Sequence, residues 1–220
     1  MVMKMNFEEK EMHRLEALKA IAELLNEATV LDDMLEEALH TLLQVMNLQT
    51  GWIFFIDESG KHRMLVDENL PPALTWQKKK PMCEGDCWCL GGFVDGRLER
   101  AVNIIECKRI DDAIECNWGD TEGVLHHATV PFRSGWEKFG LLNVACPGKT
   151  HFSEEELVLF ESVAFQIGTT IQRIQLVEKE RKYVVVAERN RFARDLHDSV
   201  KQLLFSIMLT LKRYAKYDAR

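Results

Sequence analysis

Long apolar runs are missing: nothing in the 220 residues approaches the roughly 18 consecutive apolar positions that a membrane-spanning helix needs. The opening MVMKMNFEEKEMHRLEALKA is charged and helical in pattern rather than a secretory signal, so a cytosolic location is the expectation. A basic excess is missing too. With 28 Lys and Arg against 35 Asp and Glu, a net charge of −7 and a pI near 5.6, the chain is a poor direct partner for a polyanion such as DNA. No nucleotide-binding glycine loop, nucleophile elbow or metalloprotease helix motif occurs, which argues against an enzymatic role for the N-terminal part. Beyond Ser153 there is no proline and only one glycine, Gly168, so nothing there breaks a helix.

A hydrophobic content of 46% with 29% charged residues suits one compact domain plus an appended element. Leu15, Leu18, Ile21, Ala22 and Leu25 recur at helical spacing and predict a helix over 7–26. A second is expected at about 30–46. Strands are predicted at Trp52–Ile56 and His62–Val66, around the breakers Ser59 and Gly60, and again at His127–Phe132 and Phe139–Ala145. Between the hairpins a loop-rich insertion is expected, whose one short apolar run is AVNIIE at 101–106. Ser153 before three glutamates is a helix start. Two apolar seams follow it: Leu157, Phe160, Ala164, Ile167, Ile171 and Ile174, then Phe192, Leu196, Val200, Leu203, Ile207, Leu211 and Tyr214. A helix that long cannot lie wholly on its own small domain, so its seam is expected to bury itself against a second copy.

The segment EKERKYVVVAERNRFARDLHDSVKQLLFSI resembles the dimerisation and phosphoacceptor domain of histidine kinases that signal to response regulators with helix-turn-helix output domains, the NarL type. The resemblance rests on Glu188-Arg189, Arg191, Ala193-Arg194, Leu196-His197-Asp198 and Gln202. It implies that His197 accepts a phosphoryl group from ATP, that Asp198 orients the imidazole, and that Gln202 positions the water that hydrolyses the regulator's acyl phosphate. The residues agree: His197 follows a seam position and so reaches solvent, a neighbouring carboxylate favours attack by one ring nitrogen, and Asp198 and Gln202 share a helix face. The family's ATP-binding boxes are not in the sequence, which reads as a fragment that needs a separate catalytic domain to be phosphorylated.

Residues from about 15 to 175 resemble a GAF domain, most tellingly in the strand GLLNV followed by FSEEE. The fold class implied is α+β: an antiparallel sheet with flanking helices, then a long helix into a dimeric helical phosphoacceptor segment. The expected divisions are a sensor core at 1–152 with an insertion at about 70–123, a signalling helix at 153–187, and a partial phosphoacceptor domain at 188–220. Five of six cysteines fall between 83 and 116, a clustering that core packing does not explain, and in a cytosolic protein they read as thiols or metal ligands. A tetrathiolate site suits zinc or a small iron–sulfur cluster, and the spacing alone does not choose. The insertion resembles that of Gram-positive, GAF-containing kinases that sense oxygen or redox state with a [2Fe–2S] cluster. That resemblance implies Cys83, Cys87, Cys89 and Cys107 as ligands, with Cys116 as the substitute for Cys83; structural zinc and a thiol switch are the alternatives.

Four lesser expectations complete the reading. Cys146 is a plain strand or core cysteine, and Lys78, Lys79 and Lys80 are either solvated or offset the charge of a cluster. Trp88 limits solvent access to the cysteines. Of the adjacent His126 and His127, one points inward, as a buried histidine rather than a haem ligand. The implied mechanism is a population shift in which the state of the cluster alters the insertion, moves the exit helices and changes access to His197, with 178–191 as the bistable element.

Overall fold

The computed structural model describes residues 7–217, so the outer limits expected at residues 1 and 220 lie outside it, as do the side chains of Leu211 and Tyr214. It divides into two compact units, Met1–Ile174 and Gln175–Arg220. In the first, α1 (Phe7–Glu27) and α2 (Leu31–Val45) precede the hairpin β1 (Thr50–Ile56) and β2 (His62–Glu68). Then come α3 (Pro72–Cys83), α4 (Trp88–Val94), β3 (Val102–Ile104) and α5 (Lys108–Glu115), the returning hairpin β4 (His127–Ser134) and β5 (Glu137–Ala145), and α6 (Glu154–Tyr217). The five strands form one antiparallel sheet in the order β2-β1-β5-β4-β3.

Strand alternation sends neighbouring rows of side chains to opposite faces. The row Ile53, Leu142 and Val130 packs into a core with Leu35, Leu39, Leu42, Phe160 and Ile167. The adjacent row, Trp52, Asn143, Thr129 and Val102, faces the other way, toward the insertion. The sheet thus lies between a layer of long helices and a layer made by the insertion, each with its own buried cluster.

The N-terminus of α6 is closed by a capping box. Ser153 Oγ accepts the Glu156 amide at 3.3 Å, and the Glu156 carboxylate accepts the Ser153 amide at 2.8 Å. Gly168 then lets α6 approach β4, since a Cβ there would stand 2.3 Å from the Arg133 carbonyl oxygen. Arg173 donates to the carbonyls of Leu25 and Ala28, both at 2.9 Å, and so satisfies the end of α1. The first seam, Leu157 to Ile174, is therefore buried in the core of its own domain. This corrects the expectation that it waits for a second copy: only the first third of the long helix needs to fit the small domain, and it does. Phe192, Leu196, Val200, Leu203 and Ile207 of the second unit are all more than half exposed.

The insertion is also more ordered than its sequence suggests. It holds three helices and a strand instead of one apolar run in a loop. Its first helix is broken: Gln77, Lys78 and Lys79 take φ values of 45°, 61° and 65°, a left-handed passage between two helical turns. Trp76, next to this passage, stacks on Trp118 with ring centroids 5.0 Å apart and planes within 6°. The helices α4 and α5 have 7 and 8 residues, about two turns each, too short for an apolar period to stand out.

Candidate functional site

The insertion cluster brings together three of the four cysteines expected as ligands. Cys87, Cys89 and Cys107 are 9%, 3% and 4% exposed and pack with Trp52, Phe54, Leu90, Phe93 and Ile110 against the sheet. Cys87 is the N-cap residue of α4 and Cys107 that of α5. Neither thiol closes a capping bond, but the amides of Leu90, for Cys87, and of Ile110 and Arg109, for Cys107, lie close enough to favour a thiolate. Cys83 ends α3 and is exposed; Cys116 caps the far end of α5 and is also exposed. Cys146 is half-buried just after β5. Among the described residues no three His, Cys, Asp or Glu side chains stand ready-made around a point where a metal ion would sit.

At the centre is Arg109, a charged side chain only 5% exposed. Its guanidinium donates to the carbonyls of Pro81, of Glu84 at 2.7 Å and of Gly85 at 3.1 Å. It also donates to His62 Nε2 at 3.1 Å and lies 5.3 Å from the centre of the Phe54 ring. One cation thus ties the chain leading into the cysteines back to α5 and to the second strand. Its Nε and the buried Thr129 hydroxyl close no hydrogen bond to a nitrogen or oxygen, and the hydroxyl lies within reach of the Cys89 sulfur. The cation bears on the thiols. A hydrogen bond from the Cys89 thiol, working against burial and helped by the Arg109 charge, brings Cys87 down to about 5. The same bond, with burial added, pushes Cys89 up, while burial pushes Cys107 up to about 11.

Two histidines border this region. Burial and then the Arg109 charge lower His62. His127 is 2% exposed, meets Trp52 edge-on at 5.1 Å, and is driven by burial to about 4, so it is neutral near pH 7. His126 is half-buried, with Nδ1 2.7 Å from the Ile105 carbonyl, so only His127 of the pair points fully inward. Trp88 is 49% exposed, which corrects its expected role as a shield: it starts α4 on the outer face while Cys89, the next residue, turns inward. Lys79 pairs with Asp67 at 2.6 Å and Lys80 with Glu84 at 3.9 Å, so two of the three lysines have carboxylate partners.

In the second unit His197, Asp198 and Gln202 lie on α6 and are all exposed. His197 Nδ1 is 3.9 Å from the Asp198 carboxylate, close but beyond hydrogen-bonding distance. The imidazole therefore stands in solvent with a carboxylate beside it, as a phosphoryl acceptor requires.

Two family models match this arrangement. The GAF domain model covers residues 28–172, which takes in both hairpins, the insertion and the buried part of α6. The chain belongs to the GAF domain family. A histidine kinase model covers residues 188–219, around His197. The chain is 54% identical over 201 residues to the sensor histidine kinase YhcY of Bacillus subtilis (strain 168), a match that takes in 91% of this chain and 53% of that protein. It therefore spans about half the length of this curated relative. Among solved structures, the GAF domain of a phosphoenolpyruvate-protein phosphotransferase from Coxiella burnetii superposes with a TM-score of 0.59 at 18% identity, covering 76% of this chain and 98% of its own. Free methionine-R-sulfoxide reductase from Neisseria meningitidis gives 0.58 at 14% identity, with 80% and 98% covered. At such identities these likenesses speak for the fold alone.

The GAF sheet, the flanking helices and the position of the phosphoacceptor motif agree with the reading of the sequence. Arg109, Thr129 and His62 have no site role in that reading, where His62 and Thr129 are only strand positions. Arg109 sits in KRIDD, which looks like a solvated charged helix, and its one available signal was its place two residues after Cys107.

Proposed function

We propose that this GAF chain is the sensing and phosphoacceptor portion of a two-component sensor histidine kinase that responds to oxygen or redox state. The reading is carried by one observation: Cys87, Cys89 and Cys107 are gathered in a buried cluster beside Arg109, in a chain whose residues 188–219 match a histidine kinase model. The thiols fit a [2Fe–2S] cluster in chemistry, being buried, deprotonated in one case and next to a fixed cation that offsets negative charge. Cys83, exposed at the end of α3, would be the fourth ligand, with Cys116 as its substitute. Such a cluster would supply one-electron redox chemistry.

The chain's own residues do the rest. Arg109 holds the carbonyls of Pro81, Glu84 and Gly85, so a change at the cysteines strains the insertion that it anchors. Gly168 and Arg173 lock the first part of α6 to the sheet and to α1, so movement of the domain is passed into that helix. In a homodimer, His197 takes the terminal phosphoryl group of ATP on a ring nitrogen, with ADP leaving, from an ATP-binding domain supplied by the whole kinase. Asp198 orients the ring and Gln202 serves the later hydrolysis on the response regulator, which carries a helix-turn-helix output domain. Among the described residues no helix is long and apolar enough to cross a membrane, which supports a cytoplasmic kinase.

The test supplies the ATP-binding domain with radiolabelled ATP and follows label on the chain with and without air. Labelling that depends on air, disappears in His197→Gln and loses its air dependence in Cys89→Ser is expected. Labelling that ignores air would rule out the redox reading, and labelling that persists in His197→Gln would rule out the phosphoacceptor.

A further inference from the structure

We infer that Arg109 and Thr129 tune the group held by the cysteines: Arg109 Nε and the Thr129 hydroxyl donate hydrogen bonds to its sulfur atoms and raise its reduction potential. The inference rests on the proposed cysteine site and adds residues that no ligand pattern points to.

Buried polar side-chain atoms are almost always paired, and leaving one unpaired costs about 1–3 kcal/mol. Among the described residues three such atoms have no nitrogen or oxygen partner: Arg109 Nε, the Thr129 hydroxyl and Gln166 Oε1. The first two belong to the same layer as the thiols. Thr129 is fully buried and lies in the sheet row between Asn143 and Val102, on the face that carries Trp52 and receives the insertion. Its row neighbour Asn143 is satisfied, donating to the carbonyls of Trp52 and Leu141 at 3.4 Å. Arg109 spends its terminal nitrogens on three carbonyls and on His62, which fixes the orientation of the whole guanidinium and so of the unused Nε–H.

Both donors stand within reach of cysteine sulfur, the Thr129 hydroxyl of Cys89 and the Arg109 guanidinium of Cys87, and neither closes a bond to a nitrogen or oxygen, so the sulfur atoms held by these cysteines are the acceptors they are aimed at. The acceptor that suits both is a polarisable, anionic, sulfur-rich group built from thiolate and inorganic sulfide. Donors aimed at sulfur stabilise the form carrying one more electron, because that form is one unit more negative, so they raise the potential. A redox-inert zinc would gain nothing of the kind.

The test uses the full chain purified without air, with iron and acid-labile sulfide counted, and a dithionite titration followed by visible absorption. Thr129→Val keeps shape and burial and removes one donor; Arg109→Lys keeps the charge and removes Nε. Thr129→Val with wild-type iron and sulfide should lower the reduced-to-oxidised ratio about tenfold at a fixed poise, a downward shift of about 59 mV for a one-electron couple. Arg109→Lys should shift it the same way. An unchanged or raised midpoint in a fully loaded Thr129→Val protein overturns the inference even if Arg109→Lys does not fold. A wild-type chain that holds neither iron nor sulfide overturns the proposed cysteine site as well, so the two failures are told apart.

Discussion

The two faces of the sheet follow different chemistry. The face under α1, α2 and α6 is mainly hydrocarbon, with Ile53, Phe132, Leu142, Phe160 and Ile171 essentially without solvent contact and a few polar groups such as Ser134 on β4 and Thr170 and Gln166 on α6. The opposite face buries three thiols, a guanidinium, an imidazole and two donors without a nitrogen or oxygen partner among its apolar side chains. The first arrangement needs only shape and volume to be stable. The second accepts the desolvation of a guanidinium and of buried thiols, costs that the hydrocarbon layer largely avoids.

Substitutions on each face should separate these roles. Phe160→Ala, on the hydrocarbon face, should lower stability by about 3–5 kcal/mol in urea unfolding with the whole domain affected at once. Arg109→Met should strand the carbonyls of Pro81, Glu84 and Gly85 at a cost of about 3 kcal/mol. Its effect should be local: amide exchange speeds up in the insertion while the amides of β1 and β5 keep their protection. A uniform loss across both faces would mean that the insertion is part of one cooperative core.

His127 supplies a pH signature for the polar face. Its pKa is about 4 in the fold against an ordinary 6.5, so the unfolded chain binds its proton first. The stability this gives is complete above pH 6.5 and is lost as the pH falls toward 4, with about 2 kcal/mol gone between pH 7 and 5. His127→Phe should flatten that part of the profile in thermal melts over this range. Smallest of all, Lys79→Ala breaks a half-buried pair with Asp67 and should cost no more than about 1 kcal/mol, read as a small drop in melting temperature.

The same contrast explains what could be read in the sequence. Strands with two-residue alternation, the helices of 21 and 15 residues and the seam of α6 carry their own period, so the elements of the hydrocarbon face were legible, though not where the seam of α6 is buried. His197 was legible because its partners are local, one and five residues away. On the polar face the cysteines were visible as a cluster, but not that Cys87 and Cys107 start helices, nor that Trp88 faces outward. Thr129 meets the cysteines through strand register, and Arg109 reaches carbonyls 24 to 28 residues earlier, relations that no local pattern encodes. The buried first seam of α6 depended likewise on a long-range feature, the close approach that Gly168 permits.

The most direct measurement is the count of iron and acid-labile sulfide per chain, with the visible spectrum, in protein purified without air. Equal iron and sulfide, with visible bands that vanish in Cys89→Ser while the fold remains, is the predicted result. A colourless, folded chain that carries zinc or no metal at all would contradict it and reduce the polar face to a structural layer.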